Sequence, residues 1–152
     1  MTANNAAPAF ATIMFLTGVG IPILAALNGG LGARLGSPMA ASMILFGLAF
    51  LIATAGALMT ASIGQIRFTS DIPAPFYFGG LFVAFYVIAV TFIAPKFGVG
   101  NAIFFVLVGQ LISAATIDHF GLFGAMRSAI DLKRVAGIAL MIAGVWLARR
   151  TG

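Results

Sequence analysis

Apolar residues run through this chain in long unbroken stretches rather than in alternation. About 20 consecutive apolar residues suffice to cross a bilayer as a helix. Five such stretches are legible: about Phe10–Leu31, Pro38–Ile63, Phe76–Ala94, Asn101–Ile117 and Val135–Ala148, the last with an alternative start at Ile130. The breaks between them carry glycine, proline and charge, the residues that punctuate elements. A membrane barrel would instead show short strands alternating apolar with polar positions. The pattern predicts an all-α integral membrane protein of five transmembrane helices, with residues 1–9 as a short tail and residues 10–150 as one domain. The N-terminal "MTANNAAPAF" has no basic region ahead of an apolar one, so the first stretch is expected to stay as a span rather than leave as a signal peptide.

Composition strengthens the membrane reading. The 152 residues are 62% hydrophobic and only 7% charged, where soluble domains carry roughly 25% charged residues. There is no cysteine and only one histidine with three acids, which leaves neither thiol chemistry nor the ligand set of a metal site. No cofactor is expected, and no nucleophile–base arrangement points to an enzyme. The net charge of +5 would suggest nucleic acid in a soluble protein. Here the basic residues stand singly at the ends of apolar stretches, the pattern of interfacial anchors. A nucleic-acid partner is therefore not expected; the lipid bilayer is.

The basic residues also bear on orientation. With five spans, Arg67, Arg127, Lys133 and Arg134 fall on one face, and Arg34, Lys96, Arg149 and Arg150 on the other. Orientation follows the basic bias between faces, and here the bias vanishes. The favoured expectation is insertion in both orientations and an antiparallel homodimer; the alternative is one orientation set by a partner or by finer charge placement. A 62-residue offset lays Arg34–Thr54 on Lys96–Thr116, equating Gly36 with Gly98, Gly47 with Gly109, and Ala53-Thr54 with Ala115-Thr116. It suggests an internal two-helix repeat, a common device of transporters.

Small residues recur at helical spacing at Ala53/Ala57/Ala61, Gly80/Ala84 and Ala139/Ala143. These faces are expected to be where helices pack closely. Deep polar groups are few. Asn28 lies late in the first span and Gln110 near the centre of the fourth; an amide in the membrane needs a partner, so each bonds between helices or faces cargo. Pro22, near Gly18 and Gly20, removes a backbone bond and marks a candidate hinge. Asp131, just ahead of the fifth span, is read as its N-cap. Asp118 and His119 close the fourth span. One reading makes them a proton-responsive pair at a gate, with Arg127, Lys133 or Arg134 as counter-groups. The plainer one is a helix terminus, with His119 on the last carbonyls, Gly121 as a left-handed cap and Asp118 tying down the following loop.

The segments "GIPILAALNGGLGARLGSPMAA", "FGGLFVAFYVIAVTFIAPKFG", "GQLISAATIDHFGLFG" and "RVAGIALMIAGVWLARR" resemble the YdcZ-like family, a five-helix branch of the drug/metabolite transporter superfamily. The resemblance covers nearly the whole chain. It implies a half-size bundle of that superfamily, a multi-pass protein of the cytoplasmic (inner) membrane that works as a dimer. Its motif positions fall here on Asn28, Gly79, Gly80, Pro95, Gly98, Gly109, Gln110, Asp118, His119 and Gly121. Two positions depart from the family pattern: Leu24 replaces a glutamine common after the first-span proline, and Phe76-Tyr77 replace a tryptophan after Pro75. The related small multidrug-resistance proteins couple export to protons through a first-helix glutamate, which this chain lacks.

The combined expectation is a transporter protomer moving a small amphipathic or cationic metabolite or drug by alternating access. Asn28, Tyr86 and Gln110 are the expected polar contacts, Phe82, Phe85 and Phe105 the aromatic walls, and Gly18, Gly20 and Pro22 the hinge. Asp118, His119 and Arg127 are the expected gate or proton-coupling group. The rivals are a flippase for lipid or a lipid-linked carrier, and a small dual-topology channel or scaffold.

Overall fold

The structure, a computed structural model, describes residues 3–66 and 72–148. Arg67, Arg149 and Arg150, three of the eight bases behind the charge map, lie outside the described residues, as does Asp71. Every described element is helical. The α-helices are α1 (Ala3–Leu35), α2 (Pro38–Met59), α3 (Gly79–Phe97), α4 (Val99–Phe120) and α5 (Leu132–Ala148), with 3₁₀ turns at Ser62–Gln65, Ala74–Phe78 and Leu122–Gly124. Four segments are long and apolar enough to cross a membrane: Ala7–Leu35, Pro38–Met59, Ala74–Phe97 and Val99–Phe120. The fifth helix is present but has 17 residues, about 26 Å at 1.5 Å per residue.

The boundaries shift for local reasons. The second span ends at Met59, short of Ile63, because Thr60 caps it and Ala61 turns left-handed at φ 53°. Pro38 sits in the first turn of α2, where its missing N–H costs nothing, and the Ser37 hydroxyl accepts from the Ala40 N–H at 3.1 Å. Gly36 and Gly98, equated by the 62-residue offset, both have positive φ, 65° and 88°. The two short connections, α1 to α2 and α3 to α4, thus each rest on a glycine in a backbone region that other residues avoid.

The chain divides into two compact units, Met1–Lys96 and Phe97–Gly152. In the first, the core is built from small side chains. Ala25, Ala41, Ser42, Thr91 and Ala94 are almost fully buried, with Asn28, Val87 and Val90 beside them. A Cβ added to Gly32 would stand 3.1 Å from the Pro38 Cα and 3.3 Å from the Thr91 methyl, and one on Gly29 would stand 3.0 Å from the Pro95 ring. The "NGGLG" run of α1 therefore lets the start of α2 and the end of α3 approach its backbone. The expected small-residue faces are not where this happens. Within their own units Ala53, Ala61, Gly80 and Ala139 are exposed, and no side chain or neighbouring backbone lies within 4 Å of a Cβ built on Gly80. Spacing alone marks a face that could pack; which one does depends on where the chain folds back.

The polar side chains of the spans show how the backbone of a membrane helix absorbs them. The hydroxyls of Thr12, Thr17, Ser42, Thr91 and Thr116 each donate to the carbonyl four residues earlier, at 2.6–2.9 Å. Asn101 does the same to Phe97 at 3.0 Å. Such back-bonds satisfy a hydroxyl without a second helix. Asn28 is different: its amide donates at 2.6 Å to the Thr91 hydroxyl, a bond between α1 and α3. A double-mutant cycle of Asn28→Ala and Thr91→Val, read by unfolding in detergent, is expected to give a coupling of about 0.6 kcal/mol and no more than about 1.7. Strict additivity would deny the bond any energetic role.

Candidate functional site

The densest polar cluster of the described residues closes the hairpin between α4 and α5. α4 ends on Gly121, left-handed at φ 64°, whose N–H returns to the Ile117 carbonyl. The 3₁₀ turn that follows contains Phe123, also left-handed at φ 56°. Four polar links tie what comes next to the helix end. The Ser128 N–H donates to the Asp118 carbonyl at 2.8 Å. The Arg127 Nε donates to the His119 carbonyl at 3.3 Å, and the Ile130 N–H donates to His119 Nδ1 at 3.0 Å. Arg134, in the first turn of α5, bonds the Asp118 carboxylate at 2.5 Å and the Ser128 carbonyl at 3.3 Å. The Asp131 carboxylate caps α5 through the Arg134 N–H at 2.7 Å.

Each link answers a need created by the helix ends. The last carbonyls of α4 have no intrahelical donor, and Ser128 and Arg127 supply two. The first N–H groups of α5 need acceptors, and Asp131 supplies one while its charge suits the positive end of that helix. The capping roles expected of Gly121 and Asp131 are both present. One detail differs from expectation: Arg127 rather than His119 takes the late carbonyl, because the imidazole turns its Nδ1 to Ile130. Of the three candidate counter-groups, Arg134 is the one that meets Asp118: the first turn of α5 returns its guanidinium to the end of α4. Asp118 and His119 are adjacent in the chain but serve different partners.

The expected cargo contacts fall into both units. In the first, Tyr86 lies midway along α3 with its hydroxyl buried and without a hydrogen-bond partner among the described residues. Phe82 and Phe85, on the turn before it, are about three-quarters exposed. Asn28 is spent on Thr91, although it also borders an apolar groove of about 310 Å³ lined by Leu24, Leu27, Leu31, Ile44 and Leu48. In the second unit, Gln110 is exposed and makes no hydrogen bond among the described residues. Phe105 belongs to an aromatic set, 5.0 Å edge-on from Phe104 and 5.8 Å from Phe97. Phe104 also borders a groove of about 530 Å³ with Ile103, Leu107, Val145 and Ala148. The proposed hinge lies inside an unbroken α1, with no side chain or neighbouring backbone within 4 Å of a Cβ built on Gly18 or Gly20.

Thr91 and Arg134 are the partners that sequence reasoning undervalued. Thr91 was open to discovery as a hydroxyl inside "YVIAVTFIAP", but nothing in its spacing chose Asn28. Among the described residues no group of three or more metal-binding side chains occurs.

A family model described as "Putative inner membrane exporter, YdcZ" matches residues 9–147. No curated protein and no solved structure matches the chain.

Proposed function

The chain belongs to the YdcZ family of inner-membrane exporters, and on that premise we propose that it is a transporter protomer that carries a small amphipathic or cationic solute by alternating access. Its setting is the inner membrane, which it crosses several times. α5 serves as a fifth span, since 17 residues reach the lower end of the length that crosses a bilayer. Two protomers form the working unit, in antiparallel orientation.

The observation that carries this reading is the Tyr86 hydroxyl. A buried hydroxyl without a partner is costly where no water can reach it, and Thr12, Thr17, Ser42, Thr91 and Thr116 solve the problem by back-bonding. Tyr86 cannot, because its ring holds the hydroxyl away from its own backbone. A cargo that reaches it as the helices move apart would satisfy it, and the exposed rings of Phe82 and Phe85, earlier in α3, suit a cation or an apolar ring. The second unit offers the Gln110 carboxamide, which is exposed and makes no hydrogen bond among the described residues. Asn28 acts through α1–α3 packing, and Gly18, Gly20 and Pro22 give α1 its flexibility: proline at 22 leaves the Gly18 carbonyl without its helical donor.

In proteoliposomes loaded with aromatic cations, Tyr86→Phe is expected to raise KM about three- to tenfold, the worth of one hydrogen bond, with the protein folded and inserted as before. Gln110→Ala should lower transport on the same scale. Wild-type transport in both variants would remove these residues from the site. A second reading, lipid flipping, is favoured by the 530 Å³ groove, which no charged side chain of the described residues lines. Movement of a labelled lipid between leaflets, with no solute transport, would choose it.

A further inference from the structure

The His119 imidazole accepts the Ile130 N–H at Nδ1, 3.0 Å away. An imidazole nitrogen can accept only while it is unprotonated, and the imidazolium carries N–H on both nitrogens. The observed contact therefore selects one state of the ring: neutral, with the proton on Nε2. We propose that His119 is a pH-operated latch on the connection between α4 and α5, closed on the Ile130 amide when neutral and open when protonated. The inference concerns the connection itself and stands whether or not the chain transports.

Charged groups stand on each element around the ring. On α4, Asp118 precedes the ring and is paired with Arg134. From the connection, the Arg127 guanidinium sits on the His119 carbonyl. From α5 come Arg134, Lys133 and Asp131, the last engaged as the helix cap. Protonation sets the Nδ1–H against the Ile130 N–H, donor to donor, and these must part.

What parts is limited by the links that do not involve the ring. Ser128 still holds the Asp118 carbonyl, and Arg134 still holds Asp118 and Ser128. Opening therefore frees the stretch between Ser128 and the Asp131 cap, the entry to α5, and leaves the Arg134 ion pair in place. His119 acts here as a positioning residue: the proton moves a loop. The sequence reading coupled Asp118 and His119 as one titrating pair; the geometry gives them separate tasks.

The test is amide hydrogen exchange on the full chain in lipid nanodiscs, corrected for the intrinsic effect of pH on exchange. Protection of the Ile130 amide is expected at pH 8 and should fall roughly tenfold at pH 5, the loss of one hydrogen bond. The Val135 amide, bonded to the Asp131 carbonyl at 3.0 Å, should keep its protection. His119→Asn places an acceptor that does not titrate near the Nδ1 position and should abolish the pH dependence at Ile130. An unchanged Ile130 amide in the wild type, or an equal fall in His119→Asn, would overturn the latch. Should that variant fail to fold, ¹⁵N spectra of the wild-type imidazole decide. A bare Nδ1 and protonated Nε2 at pH 8 support the latch; Nδ1–H at that pH overturns it.

Discussion

Gly32→Leu is expected to cost more stability than any single polar substitution in the chain. The site has no room for a first side-chain carbon: the Pro38 Cα stands 3.1 Å from where it would be, and the Thr91 methyl 3.3 Å. The first of these is backbone, which cannot rotate away. Three further carbons must force the start of α2 and the end of α3 off α1. Overpacking of this kind costs about 1–3 kcal/mol, and here it also stretches the 2.6 Å bond between Asn28 and Thr91. Gly47→Leu is the control. It lies inside α2, and no side chain or neighbouring backbone comes within 4 Å of a Cβ built there, so leucine there should be neutral within about 0.5 kcal/mol. The measurement is thermal unfolding in detergent, with the monodisperse fraction as a second readout. Equal effects at the two glycines would show that the "NGGLG" contact contributes nothing to stability.

The second large effect is expected at Arg134. One guanidinium joins the Asp118 carboxylate and the Ser128 carbonyl, so Arg134→Ala removes both links and leaves an unpaired carboxylate at the end of α4. The pair is partly exposed, 29% for the arginine side chain and 38% for the aspartate, so solvent screens it. A loss of about 1–2 kcal/mol is the expected scale. Lysine should recover less than half of it, because a point charge cannot span two acceptors as the planar fork does. Asp118→Asn should cost nearly as much as Arg134→Ala, and the double variant little more than either. Full additivity would mean that the two side chains act independently. Arg127→Ala, which removes one hydrogen bond to a carbonyl, should cost less than either.

The legible part of this protein was its material. Continuous apolar runs announced membrane helices, and four of them have the length and composition to cross. Gly121 and Asp131 were legible as caps because a cap is a local event, settled within a turn by backbone geometry and one side chain. The YdcZ resemblance was legible from motif runs along nearly the whole chain. The partners were not. Arg127, Lys133 and Arg134 were equal candidates for Asp118 by sequence, since all lie in the same short connection. Only the turn at Leu122–Gly124 decides which guanidinium comes back to α4. The close packing within the first unit was not legible for a related reason: Ala53, Ala57 and Ala61 form as good a small-residue face as Gly29 and Gly32. What separates the two is the fold-back of the chain at Gly36, which brings α2 against the end of α1.

Sequence by itself thus determined the solvent this chain lives in, its helical backbone and the ends of several helices, because hydrocarbon demands internal hydrogen bonds of every span and caps act within one turn. Tertiary structure alone decided that Asn28 is spent on Thr91 while the Tyr86 hydroxyl has no partner among the described residues. It alone turned His119 to the Ile130 amide and Asp118 to Arg134. Those choices depend on atoms brought within 3 Å from positions 11 to 63 residues apart, and in membrane helices, where lipid and protein are equally apolar, composition gives no preference among them.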